Sequence, residues 1–257
     1  MAAGTSLSPT SRGWPWLVSA ALLLAAAVAA AGAVYQYWLP CRGSMLAGTV
    51  FDRSYGSSFS DACLHQMDSG LPFPLPSEPV GELARAAGLS AAAMSLAALA
   101  WLVLVLALHW PLRTRVVAAG PSLLVLVMAA QAWSAALGLG GQDDSWFSNL
   151  WWVGVDLAAV AVAVALFSWH PELGGRRFWL LMVVLWGLSS FSFLQQAGDF
   201  SVMMSWSTAN WDVVPGTGTL TVVRIAIAGT LTLFAPFWLR GRPIRELGAV
   251  PFWAATH

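Results

Sequence analysis

The chain has 257 residues, 58% of them hydrophobic and 9% charged, with a mean hydropathy of +0.69. Soluble globular domains carry roughly 25% charged residues, so this composition excludes a water-soluble domain and predicts an all-α integral membrane protein. Twelve basic and twelve acidic residues cancel, which provides no net charge to attract nucleic acid or an acidic partner. All of the basic residues are arginine; with the long Ala, Leu and Val runs, this suggests GC-rich coding and an actinobacterial source.

Apolar stretches of about 20 residues cross a ~30 Å hydrocarbon core. Six occur, at 15–37, 86–108, 116–139, 149–169, 178–196 and 218–239, predicting a six-transmembrane-helix bundle in a single polytopic membrane domain over 1–257. Orientation follows from arginine placement, because cytoplasmic loops near the spans retain an excess of Arg. Arg12, Arg113, Arg115, Arg176, Arg177, Arg240, Arg242 and Arg245 fall on one side. The other side has Arg42, Arg53 and Arg85 among Asp52, Asp61, Asp68, Glu78, Glu82, Asp143, Asp144, Asp199 and Asp212. Both termini are therefore expected to be cytoplasmic, in a multi-pass protein of the bacterial plasma (inner) membrane. The run after Arg12 also has the form of a cleaved signal sequence, but its aromatic end, "VYQYW", suits an anchor at the membrane interface. A lipoprotein role for Cys41 is disfavoured by Pro40, which stands where a small residue is needed.

Between the first two spans lies an extracytoplasmic cap loop, 39–85, with the only two cysteines, Cys41 and Cys63. An oxidising setting lets such a pair persist as a disulfide, and closing a loop of this length stabilises by about 3 kcal/mol on chain-entropy scaling. The 21 intervening residues argue against a redox or metal pair, which only His65 lies near enough to complete. The segment "LPFPLPSEP" that follows favours an extended path over the mouth of the bundle. A second outer loop, 197–218, and most of the tryptophans, including Trp14, Trp16, Trp38, Trp110, Trp169, Trp179 and Trp238, lie near span edges. They fit the aromatic belt of the membrane interface.

Two charges remain inside spans, Asp156 and Arg224. At 1.5 Å of rise per residue they reach similar depths, about 12 Å and about 10 Å from the extracytoplasmic ends. Gln131 and Ser134 on the third span, Ser189, Ser192 and Gln196 on the fifth, and Thr217 and Thr221 on the sixth recur at helical spacing, one face per helix. These residues predict an outward-facing polar cleft, with Asp156 and Arg224 either an interhelical tie or a ligand or ion site. His109 and His170 sit at inner helix ends, where termination explains them better than a paired haem site. No phosphate loop, serine elbow, zinc helix or Cys-x-x-Cys pair is present, and no cofactor or metal is expected. The expected function is a non-enzymatic accessory or binding component of the cell envelope that engages a small extracytoplasmic ligand, lipid or membrane-protein partner. The alternatives are a small proton- or ion-coupled transporter using Asp156 and Arg224, and a lipid-directed membrane enzyme near His65 and Asp68.

Overall fold

The computed structural model describes residues 13–42, 59–68, 72–73, 83–108, 110–139, 146–205 and 213–239. Among these the chain is helical throughout: α1 (Trp14–Tyr37), α2 (Asp61–Asp68), α3 (Ala84–Ala107), α4 (Leu112–Ala136), α5 (Trp146–Trp169), α6 (Gly174–Leu188), α7 (Phe193–Ser205), α8 (Thr219–Leu233) and α9 (Ala235–Leu239). Four of the helices, α1, α3, α4 and α5, are long and apolar enough to cross a membrane without interruption.

The fifth and sixth expected spans differ. The fifth, 178–196, is broken: α6 ends in a 3-10 turn at Ser189–Phe191, and α7 leaves at 73° to it. The pair counts as a fifth crossing if the two pieces form one bent span. The sixth, 218–239, is a 15-residue helix, α8, followed after Phe234 by the short α9. Fifteen residues span only about 22 Å at helical rise.

Packing runs from α5 to α4, α3, α1 and α8, and α6 closes the bundle against α8 and α3. Small side chains permit this. The core face of α1 carries Ala20, Ala26, Ala30 and Ala33, and that of α3 carries Ala87, Ala91 and Ala98, all buried. With few polar groups to join, such helices associate through close van der Waals contact, which small residues allow. At Gly187 on α6 an added Cβ would stand 2.7 Å from the Ala228 Cβ of α8, so that crossing requires glycine. Leu157, Val160, Val164 and Phe167 leave one face of α5 exposed and apolar, as a lipid-facing helix requires.

Cys41 and Cys63 form the expected disulfide, and both are fully buried. Ser60 precedes α2, and its Oγ accepts the Cys63 backbone N–H at 3.2 Å, a helix cap that fixes the half-cystine on the first turn. Pro72 and Phe73 return to the same end of the bundle. Phe73 is fully buried and meets Phe191 edge to face at 5.6 Å. Phe73 therefore packs against the break between α6 and α7. Its remaining residues, 43–58, 69–71 and 74–82, lie outside the described residues, as do Trp206, Trp211 and the arginines after 239.

The tryptophans divide. Trp14, Trp169, Trp179 and Trp238 are exposed as a belt requires, but Trp16, Trp38 and Trp110 are buried. Trp38 correctly falls at a span edge, yet it acts as a tie: its indole N–H donates to the Thr217 carbonyl at 2.9 Å and joins the end of α1 to the turn before α8.

Candidate functional site

The break in the fifth span creates a physical problem. A new helix start exposes backbone N–H groups with no intrahelical partner, and in an apolar setting side chains must satisfy them. Ser192, with β-region backbone at φ −78° and ψ 165°, sits at the start of α7. Asp156 reaches it from α5. Its Oδ1 accepts the Ser192 hydroxyl at 2.5 Å, and its Oδ2 accepts the Leu194 backbone N–H at 3.0 Å. Asp156 therefore caps a helix other than its own, where the positive end of the helix dipole favours a carboxylate.

A second carboxylate repeats the device. Asp199 lies on α7, fully buried, and its Oδ2 accepts the backbone N–H of Thr221 at 3.2 Å and the Thr221 hydroxyl at 3.3 Å. The Gly218 amide also supports it. Asp199 thus caps α8 as Asp156 caps α7. Gly218, with φ +97°, makes the turn into α8; an added Cβ would lie 2.7 Å from Pro72 and 2.9 Å from Val34.

Gln196 joins these pieces. Its Nε2 donates to the Ser190 carbonyl at 2.7 Å and to Thr221 Oγ1 at 2.8 Å, linking the 3-10 turn, α7 and α8. Gln196 and Asp199 stand three residues apart on one face of α7 and converge on the same Thr221 hydroxyl. Arg224, one turn further along α8, donates through NH1 to the Gln195 carbonyl at 3.0 Å, and its guanidinium and the Asp199 carboxylate attract each other electrostatically.

Two atoms in this network have no partner. Gln196 Oε1 and Asp199 Oδ1 are buried acceptors with no donor. An unsatisfied buried polar atom costs about 1–3 kcal/mol, and two of them fall in this cluster.

The sequence-derived candidates are therefore only partly assembled. Asp156, Ser192, Gln196 and Arg224 belong to one region around the break, but Asp156 and Arg224 do not face each other: each takes a different partner. The physical reason is the break itself, whose free backbone groups claim Asp156. Ser189 bonds only locally, to the Trp186 carbonyl at 3.1 Å. Gln131 and Ser134 are half-buried on α4, and no hydrogen bond connects them to the cluster. Asp199, read from sequence as a loop residue, is the charged residue at the centre. The region is also not an open cleft, since Ser190, Ser192, Gln196, Asp199 and Thr221 are all fully buried.

Buried polarity extends to the far end of the bundle as well. Thr114 Oγ1 lies 3.0 Å from His170 Nε2, and the imidazole stacks on Trp110. Arg113 sits 5.2 Å over the Trp169 ring, a cation–π contact at a helix end. His109, the other member of the expected histidine pair, lies outside the described residues. No protein-family model, curated protein or solved structure matches this chain.

Proposed function

We propose that this is a non-enzymatic multi-pass protein of the bacterial cell envelope, with both termini cytoplasmic, that binds a small ligand, lipid or membrane-protein partner on its extracytoplasmic side. In this reading the bent α6–α7 pair and the α8–α9 pair complete six crossings, and the disulfide lies outside the cytoplasm. The observation that supports the reading is that the loop is tied at two described points: the Cys41–Cys63 disulfide joins it to the end of α1, and Phe73 packs on Phe191 beside the break. An elaborate, covalently tied cover on one end supports a role at that end, since connections of this length are usually functional when they are not simply disordered. The test is isolation of the full chain from native membranes in mild detergent. A stoichiometric partner or a retained ligand, lost when Cys41 and Cys63 are replaced by serine, supports the reading; a chain that purifies alone and empty counts against it.

A small ion-coupled transporter is the second reading, favoured by one observation. Transport sites often form where a spanning helix is interrupted, with half-helix ends and ionisable side chains meeting inside the membrane. The break at 189–192 with Asp156, Asp199 and Arg224 around it has those ingredients. Solute uptake by reconstituted protein that is lost in Asp199→Asn favours this reading over the first.

A further inference from the structure

We propose that the free oxygens Asp199 Oδ1 and Gln196 Oε1, beside Thr221 at the α7–α8 junction, form a binding site for one singly charged cation, a proton or a sodium ion. The inference deepens the ion-coupled reading, and it places the ion at Asp199 instead of Asp156. Both atoms are buried acceptors without a hydrogen-bond partner, although Gln196 Nε2 and Asp199 Oδ2 are both engaged. The chemistry that completes such a pair is positive or hydrogen-donating, never anionic. Carboxylate, amide and hydroxyl oxygens are hard ligands of the kind that hold sodium, and a buried carboxyl equally holds a proton.

Asp156 is not the site, because both its oxygens are already occupied by Ser192 and Leu194. The groups packed around α7 decide the charge balance. The helix α5 contributes Asp156, α8 contributes Arg224, and the 3-10 turn contributes the hydroxyls of Ser189 and Ser190. Arg224 offsets the Asp199 charge when the site is empty, so occupancy is not required for folding and can be reversible. Binding there acts on the same carboxylate that caps α8, and it therefore reports directly on the junction.

The experiment measures thermal stability of the purified full chain in two arms: sodium titrated against choline at fixed pH, and pH titrated in sodium-free buffer. Anything that binds the folded state alone stabilises it by mass action. A hundredfold excess over the dissociation constant is expected to raise the melting temperature of wild type by about 5–10 °C. A response in the first arm identifies sodium and one in the second arm alone identifies a proton. Either response should vanish in Asp199→Asn and persist in Asp156→Asn, which separates the two carboxylates. Should Asp199→Asn fail to fold, Gln196→Met removes the free acceptor, together with the two Nε2 hydrogen bonds, without changing charge, and it is expected to weaken the response by roughly tenfold. A wild type insensitive to both arms, or a response kept by Asp199→Asn, overturns the site. A cation response without solute uptake keeps the site and removes transport, whereas uptake without a cation response does the reverse.

Discussion

Asp156 on α5 and Leu194 on α7 are joined by a hydrogen bond of 3.0 Å that caps the first turn of α7. The carboxylate is thus committed to backbone and hydroxyl donors, and its presence in an apolar helix is explained without a counter-charge. Removing it by Asp156→Ala is expected to cost about 1–2 kcal/mol, the typical loss of a helix cap. Asp156→Asn keeps an acceptor for Leu194 and should lose less. Thermal melts of the two variants in one detergent check the order.

Gly218 is expected to tolerate no side chain. Its φ of +97° disfavours any L residue, and an added Cβ would stand 2.7 Å from Pro72 and 2.9 Å from Val34. Gly218→Ala should destabilise by about 1–3 kcal/mol through backbone strain, and the close contacts should also loosen the cap. Limited proteolysis within 74–82 reads the second effect: faster cleavage in the variant is the expected outcome, and unchanged cleavage would show that the cap does not depend on this turn.

Phe73 fills the mouth over Phe191 and is fully buried. Phe73→Ala should cost about 3–5 kcal/mol, as large-to-small core changes of this type do. It should also admit water to the break. A cysteine placed at Ser192 in a Cys41→Ser, Cys63→Ser background is expected to react with a water-soluble maleimide only when Phe73 is replaced.

The disulfide between Cys41 and Cys63 closes a loop over a sequence separation of 22 residues. Its reduction is expected to lower stability by about 3 kcal/mol, on the model in which the link restricts the unfolded chain. Melting with and without reductant measures this, and a Cys41→Ser variant should melt like the reduced wild type in both conditions.

The long spans were legible because length and apolarity alone define them: the expected 15–37, 86–108 and 149–169 appear as 14–37, 84–107 and 146–169. The break in the fifth span was not, because "SSFS" is compatible with a continuous membrane helix, and the side chain that receives the new helix start, Asp156, lies 36 residues earlier in the chain. One local signal was available. Ser192 followed three residues later by Gln195 has the Ser-x-x-Gln form of a helix start, and it marks where α7 begins. Asp199 was missed for a related reason. Hydropathy windows end where polar residues gather, so the expected span stopped at Gln196 and Asp199, three residues on, read as part of a loop. A similar depth for Asp156 and Arg224, expected from rise per residue, does not fix the face each side chain presents or the partner it takes.

The long-range character of the Asp156 contacts carries a consequence for biosynthesis. Its two acceptor oxygens wait for Ser192 and Leu194, and another carboxylate, Asp199, waits for Thr221. When α5 leaves the ribosome, none of those donors has emerged. The nascent chain must therefore carry a lone acid until some forty more residues have emerged, so this helix settles late, when the following hairpin arrives to receive it.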